Sequence, residues 1–316
     1  MKARFLALSA LVLGLASCQQ DVELNNPVAV GGEVDFQLKV DAKELATRAG
    51  LNGEADEQNA KNSAYGAIDY YQSTDWSSVD LRYTLEVYDV AEDYTDAVPV
   101  KDRMVQIVDE YKPVAFDLRL VPNRNYHFVV FADFVPQGAD ATANIDTQRE
   151  LGLRHSIGDN LGQISIKYDA INDESTDAYF ATKDITISNS AAQDIVLQRP
   201  YGKIRVIATD LAELNTNVDP ASVKVTYEAF HPMAFNAVNG KIGGEYETKE
   251  YTYAYADLYK DVKEGGLAAH YYVAGYDSET TTNVNGVKRH TKMTLFTDYI
   301  LAEDEQSSIH FTMTVN

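Results

Sequence analysis

The chain has 316 residues, of which 45% are apolar, so it can bury a substantial hydrophobic core. Its formal net charge of −21 argues against binding to nucleic acid or to an anionic lipid surface, since both require a positively charged face. The single cysteine excludes an intrachain disulfide, so burial and hydrogen bonding must stabilise the fold.

That cysteine follows an apolar run at the N-terminus. Residues 5–16 are almost entirely apolar and follow a basic start, and this run is too short to span a bilayer, which takes about 20 residues. The sequence Leu15-Ala16-Ser17-Cys18 resembles the lipobox of bacterial lipoproteins. The resemblance implies a signal peptide over residues 1–17 and lipid on the thiol and amine of Cys18. The alternative is a buried helix with an incidental free cysteine.

Alternating apolar residues predict a series of β-strands after this leader. In Val34–Val40 the four residues Val34, Phe36, Leu38 and Val40 are apolar and those between them are polar, as expected for a half-buried strand. The run Tyr126–Ala132 is nearly continuous in apolar residues, which is typical of a central strand covered on both faces. Further strands are predicted at residues 81–87, 114–120, 163–168, 179–187, 203–209, 222–228, 247–253, 267–275, 293–298 and 309–315.

Helical patterns are few and joints between strands are polar or rich in small residues. Residues 55–71 and 146–154 could be helical, although neither is strongly amphipathic. A polar linker is predicted over residues 41–53. A second joint contains Pro200, which lacks a ladder donor, and Gly202, which permits unusual backbone angles. We therefore predict β-sandwiches and a domain boundary near residue 200.

The sequence carries no recognisable catalytic motif. The six histidines are widely scattered, and neither a zinc motif, a nucleophile elbow nor a phosphate-binding glycine loop is found. His127 and His310 lie in predicted strands and are interpreted as sheet residues with satisfied ring nitrogens. We predict no catalytic, cofactor or metal site and no enzymatic activity. The alternative is a secreted hydrolase with a catalytic carboxylate pair, which the sequence does not locate. Tyrosines could stack on a sugar or could be ordinary strand residues; these are Tyr251, Tyr253, Tyr255, Tyr271 and Tyr272.

Several features along the chain together resemble the fimbrillins of type V pili. They are the lipobox, the strand Val34–Val40, the tripeptide Thr47-Arg48-Ala49 and the β-rich remainder, and residues 198–204 resemble the segment that opens the second domain in that family. The resemblance implies a lipidated precursor carried to the outer membrane surface. It also implies that an arginine-specific protease cuts after Arg48 and removes the strand that bears Val34, Phe36, Leu38 and Val40.

The resemblance further implies an all-β fold of two tandem transthyretin-like or Greek-key β-sandwich domains. We expect a signal peptide at 1–17, a lipidated propeptide at 18–48, and sandwich domains at 49–199 and 200–316. The function implied is a pilus subunit or surface adhesion lipoprotein that assembles with other pilin subunits by strand exchange. The candidate donor strand carries Ile309, Phe311, Met313 and Val315, unless it is an ordinary last strand. The alternative function is a permanently anchored lipoprotein that binds a host, glycan or protein ligand.

Overall fold

The computed structural model of the chain describes residues 32–41, 79–94, 96–110, 112–141, 154–167, 176–188, 192–208, 222–227, 231–254, 281–284, 287–290, 293–301 and 310–316. All regular elements in these residues are β-strands, which confirms the predicted all-β class. The tandem transthyretin-like or Greek-key arrangement stays a prediction. The strands are β1 (Val34–Asp41), β2 (Val79–Asp89), β3 (Met104–Val108), β4 (Val114–Leu120), β5 (Asn125–Pro136), β6 (His155–Ile157), β7 (Ile164–Ile166), β8 (Ala178–Thr186), β9 (Gln193–Val196), β10 (Tyr201–Ala208), β11 (Ser222–Tyr227), β12 (His231–Asn236), β13 (Lys241–Glu247), β14 (Glu250–Ala254), β15 (Thr281–Val284), β16 (Val287–His290), β17 (Met293–Leu301) and β18 (Phe311–Val315).

Two sheets face each other around the largest hydrophobic core of the described residues. One has the strand order β3-β2-β5-β8 and the other β4-β1-β9. Apolar side chains from the two sheets meet between them, including Leu38 of β1, Leu85 of β2 and Phe128 of β5. β5 is buried along almost its whole length and pairs with β2 and β8, which confirms the predicted central strand.

A third sheet covers the other face of β2 and β5. Its order in the described part of the chain is β13-β12-β7-β6, and its apolar residues pack with Val129 and Phe131 of β5. β12 pairs with β7 through Ala234 opposite Ser165 and Phe235 opposite Ile164. This sheet therefore draws strands from both sides of residue 200, and the domain boundary expected there stays a prediction.

The polar positions of β2 are buried, contrary to the half-buried pattern that the sequence predicts. Arg82 is 2% exposed and Glu86 is 1% exposed, because the third sheet covers the face on which they lie. Buried charges require partners. Arg82 donates two hydrogen bonds to Asp133, at 2.8 and 2.7 Å. Glu86 accepts hydrogen bonds from Arg103 Nε at 2.7 Å and from the backbone N–H of Leu161 at 2.7 Å.

A buried histidine lies beside the first of these ion pairs. His155 is wholly buried, with Nε2 2.7 Å from the Tyr201 hydroxyl and Nδ1 3.7 Å from Asp133 Oδ2. Burial lowers the pKa of His155 to about 4, and the nearby Arg82 lowers it further while Asp133 opposes the shift. The imidazole is therefore neutral near pH 7.

The C-terminal strands form a separate small core. The pair β10–β17 lies against strands in the order β14-β11-β18, with Val225, Tyr227 and Phe296 buried between them. β15 and β16 form an antiparallel ribbon.

Most predicted strands are present, with shifted ends. Gly202 is a strand residue within β10, opposite Ile300, so the unusual backbone proposed for it is not observed. His310 precedes β18 and is exposed, so its placement inside a strand was wrong. The strand predicted at 267–275 and the helix at 55–71 lie outside the described residues. Strands that the sequence did not predict are β3, β6, β12, β15, β16 and most of β13.

Candidate functional site

The first strand occupies the middle of its sheet. Residues Val34–Val40 of β1 pair antiparallel with β4, and Leu38–Asp41 pair parallel with β9. β1 therefore satisfies backbone hydrogen-bonding groups of both neighbours along one groove. A strand in this position holds the sheet together in a way that an edge strand does not.

The inward side chains of β1 fill pockets in the main core. Phe36, Leu38 and Val40 are 4%, 0% and 0% exposed, and Val34 packs against the same core while partly exposed. The Phe36 ring lies 5.3 Å from the Phe128 ring across the sandwich. At about 1.5–3 kcal/mol for each fully buried apolar side chain, three such residues contribute several kcal/mol.

The outward side chains of β1 are polar and partly exposed. Gln37 donates a hydrogen bond of 2.8 Å to Asp117, and Asp35 lies 3.7 Å from Arg119. Lys39 is exposed. Because exposed ion pairs contribute little to stability, the groove between β4 and β9 holds β1 mainly through its inward side chains and its backbone.

The connection that follows β1 is long. Residues 42–78 separate β1 from β2, and they contain Arg48. Arg48 and Cys18 both lie outside the described residues, so lipidation and cleavage stay predictions. The covalent link from β1 to every later strand passes through residues 42–78. A cut after Arg48 would leave β1 held to β4 and β9 by noncovalent contacts alone.

The terminal strand β18 is an edge strand of its sheet in the described part of the chain. It pairs antiparallel with β11 from Phe311 opposite Tyr227 to Val315 opposite Val223. Phe311 is half-buried, with its ring 5.3 Å from that of Phe296. Met313 is half-buried, and Val315 is 39% exposed. Ile309 lies outside the described residues.

β1 and the terminal segment share an apolar pattern that sequence reasoning missed. In register, Ile309, Phe311, Met313 and Val315 correspond in type and spacing to Val34, Phe36, Leu38 and Val40. The signal was available in the sequence, because both segments place a phenylalanine two residues before Leu or Met and four before Val. The structure adds that Phe36, Leu38 and Val40 in β1 are more deeply buried than Phe311, Met313 and Val315 in β18.

A tyrosine of the proposed sugar platform is a core residue. Tyr251 is 9% exposed and packs edge-to-face on Tyr227 at 6.3 Å, so its ring is not open to a sugar. Tyr253 belongs to β14, whereas Tyr255, Tyr271 and Tyr272 lie outside the described residues.

The histidines and carboxylates of the described residues form no metal site. No group of three His, Cys, Asp or Glu side chains could hold a metal ion there. His127 is a sheet residue, as predicted: Nδ1 lies 2.6 Å from Asp184 Oδ1 and Nε2 lies 2.9 Å from the Val238 carbonyl. Nor does this part of the chain contain a helix long and apolar enough to cross a membrane.

A buried carboxyl group of β17 is hydrogen-bonded to a side chain of β11. Asp298 of β17 is 3% exposed, accepts a hydrogen bond of 2.7 Å from the Tyr227 hydroxyl and accepts one of 2.8 Å from the Tyr299 backbone. Burial raises the pKa of Asp298 to about 7, although both hydrogen bonds act in the opposite direction.

Replacing Asp298 by asparagine is expected to remove a pH dependence of stability. The folded protein keeps a proton on Asp298 between pH 4 and pH 7 that the unfolded chain releases, so the free energy of unfolding falls as the pH rises through this window. The loss is on the order of a few kcal/mol, at about 1.4 kcal/mol per unit of pKa. Urea unfolding of both proteins at pH 5 and pH 8 measures it. An equal fall in Asp298→Asn would contradict the assignment.

Solved structures of low sequence identity match most of the length of this chain. A candidate adhesin from Bacteroides thetaiotaomicron is 11% identical, with a TM-score of 0.44 and coverage of 90% of this chain and 76% of that chain. A candidate polysaccharide-binding protein from the same species is 12% identical, with a TM-score of 0.43 and the same coverage. A candidate cell adhesion protein from Bacteroides eggerthii is 12% identical, again with the same coverage, and has a TM-score of 0.36. With TM-scores below 0.5, these likenesses carry no conclusion about this chain.

Sequence comparison is more decisive for the family. A search of curated proteins finds no match. The model of a family of unknown function, DUF6562, matches residues 25–316, which include every strand described above. The chain therefore belongs to the DUF6562 family.

Proposed function

We propose that the chain is a structural subunit of a cell-surface assembly, delivered as a lipidated precursor and activated by removal of β1. The observation that carries this proposal is the position of β1, a central strand with three buried side chains that one cut at Arg48 would detach from the later strands. Cys18 would anchor the precursor to the outer membrane until that cut. Catalysis has no part in the proposal.

Loss of β1 would create a groove that demands a replacement. β4 and β9 would each present a row of unpaired backbone groups, and the pockets of Phe36, Leu38 and Val40 would be open to water. A strand from another subunit would satisfy the backbone through main-chain hydrogen bonds and the pockets through alternate side chains. It would have to run antiparallel to β4 and parallel to β9.

The C-terminal segment of a second copy fits this requirement. Phe311, Met313 and Val315 would take the pockets of Phe36, Leu38 and Val40. The transfer would increase their burial, because Phe311 and Met313 are half-buried and Val315 is 39% exposed in β18. A paralogous subunit with the same pattern would serve equally well.

Cleavage at Arg48 provides the first test. An arginine-specific protease should release the fragment that ends at Arg48 from the full chain, and light scattering should then show growing oligomers. Arg48→Lys is the matched control: it keeps the charge, should resist that protease and should assemble only after limited trypsin treatment. The proposal fails if the cut native chain stays monomeric, or if Arg48→Lys assembles as readily with the arginine-specific protease.

A pair of substitutions in β18 tests the donor strand. Val315 is partly exposed in β18, so Val315→Asp should fold, yet in the groove the aspartate would occupy the fully buried position of Val40. Thr314 is exposed in β18 and corresponds to the exposed Lys39. We therefore expect Val315→Asp to block assembly after cleavage and Thr314→Asp to permit it. Equal assembly of both variants would exclude this segment as the donor.

A further inference from the structure

The two walls of the groove that holds β1 are bonded to the facing sheet as well as to β1. β4 and β9 form these walls, and the sheet that faces them across the main core consists of β3, β2, β5 and β8. Hydrogen bonds from the facing sheet reach the backbone of both walls, and these bonds involve no residue of β1. They can therefore persist when β1 leaves.

Two side chains of the facing sheet fix β4 near both of its ends. Gln106 of β3 donates a hydrogen bond from its side-chain amide to the carbonyl of Ala115, the second residue of β4. At the other end, the N–H of Val121, which directly follows β4, donates a hydrogen bond of 3.2 Å to the Tyr126 hydroxyl of β5. Both bonds hold the wall at its backbone, so they fix its position along the facing sheet.

The other wall, β9, is fixed to β8. Lys183 of β8 donates a hydrogen bond of 2.9 Å to the carbonyl of Asp194, the second residue of β9. Two backbone hydrogen bonds of 2.8 Å join Phe180 of β8 to Gln198, two residues beyond the end of β9. The facing sheet therefore holds β9 near both ends as well.

The importance of these bonds changes when β1 leaves. In the uncut chain, β1 pairs with both walls, and the walls also bury apolar side chains in the main core. Gln106 and Lys183 are half-buried, so water can replace either of their hydrogen bonds at little cost to the uncut chain. Without β1, both ladders are lost, and the positions of the walls depend on the core and on the bonds to the facing sheet.

We propose that these bonds keep the groove formed after β1 has left, and that Gln106 and Lys183 are its positioning residues. The cut chain is then a preformed acceptor for one strand that has apolar residues at alternate positions and runs antiparallel to β4. Preformation favours binding, because the apparent affinity falls by the fraction of molecules in which the groove is formed. The proposal rests on the proposed function, because that function is what removes β1.

Retention of the cut fragment measures the groove directly. The chain is produced without lipid, labelled with a fluorophore on Cys18, its only cysteine, and cut after Arg48. A Val315→Asp background keeps the proposed donor segment out of the groove. Fluorescence anisotropy in a dilution series then gives the dissociation constant between the fragment that bears β1 and the rest of the chain.

Substitutions of the two positioning residues supply the comparison. Gln106→Met and Lys183→Met each remove a donor and keep a side chain of similar length. Each should raise the dissociation constant about fivefold, equivalent to about 1 kcal/mol, while the urea midpoint of the uncut chain stays close to the native value. Lys183→Arg keeps a donor and should retain the fragment as the native chain does. Lys112→Met is the matched control, because Lys112 is exposed and pairs with Asp109 and Glu110 instead of a wall.

Hydrogen exchange provides a second readout, at a dilution where the fragment has left. In the native acceptor, the amides of Val121 and Gln198 should stay protected, because their partners lie on the facing sheet. In the double variant Gln106→Met with Lys183→Met, both amides should lose protection once the fragment has left. In the uncut double variant they should keep it, because β1 still pairs with both walls.

The outcomes separate a preformed groove from strand exchange. Loss of protection in the native acceptor overturns the proposal, because the groove would then collapse when β1 leaves. Unchanged retention of the fragment in both methionine variants overturns it as well. Neither result contradicts strand exchange, which the growth of oligomers after cleavage tests. Conversely, a cut native chain that stays monomeric contradicts the proposed assembly, whereas retention that depends on Gln106 and Lys183 would still support the preformed groove.

Discussion

Replacing Asp133 by alanine is expected to lower the free energy of unfolding by about 3–5 kcal/mol. Asp133 is fully buried and accepts both hydrogen bonds of Arg82, whose side chain is 2% exposed. The variant would leave the buried guanidinium without the carboxylate that accepts these two hydrogen bonds, and losing that compensation for a desolvated charge is costly. Denaturant unfolding monitored by tyrosine fluorescence measures the change.

Two further variants test whether the loss of stability comes from the buried Arg82–Asp133 pair. Asp35→Ala removes a carboxylate that is 93% exposed and should change stability by less than about 0.5 kcal/mol. A double variant, Arg82→Leu with Asp133→Leu, should lose less than Asp133→Ala alone, because neither charge remains buried. A loss below about 1 kcal/mol for Asp133→Ala would contradict the expectation that Asp133 is needed to compensate the buried charge of Arg82.

Replacing Leu38 by alanine is expected to cost about 2–5 kcal/mol of stability in the uncut chain. Leu38 is 0% exposed in the main core, and truncation leaves a cavity between β1 and the facing sheet. Lys39→Ala, on the outward face of the same strand, should change the free energy of unfolding by less than about 0.5 kcal/mol. Urea unfolding of the three proteins provides the comparison.

The same variant reports on the proposed role of β1. After a cut at Arg48, noncovalent contacts alone retain β1, so a weaker Leu38 contact should speed release of the fragment and onset of assembly. A loss of 2 kcal/mol in retention corresponds to about thirtyfold. Release of the fragment at the native rate, despite a large loss of stability in the uncut chain, would contradict the proposed role.

Alternation in the sequence predicted individual strands better than it predicted their surroundings. Val114–Leu120 has the predicted bounds, and Val34–Val40 is extended only by Asp41. β6 has three residues, too few to show a period, and β12 contains Pro232 at an irregularity in its pairing. Such segments acquire strand geometry from the neighbour with which they pair.

The buried face of β2 shows where the pattern gives the wrong environment. Arg82 and Glu86 alternate with apolar residues, which normally indicates a solvent face. They are buried because the third sheet covers them, and Asp133 and Arg103 compensate their charges. A pattern within one strand reports its own polarity, whereas the partners that neutralise it come from elsewhere in the chain.

Local alternation was enough to predict the all-β class and the inward positions of β1, because alternation is a property of consecutive residues. The central place of β1, antiparallel to β4 and parallel to β9, became visible only in the folded chain. These partners lie roughly 80 and 155 residues further along the chain. Because backbone hydrogen bonds are the same for every residue type, they do not reveal from the sequence which strand pairs with which. The proposed removal of β1 therefore depends on two things. One is the local alternation of its side chains, and the other is the groove between β4 and β9, which forms only when the chain folds.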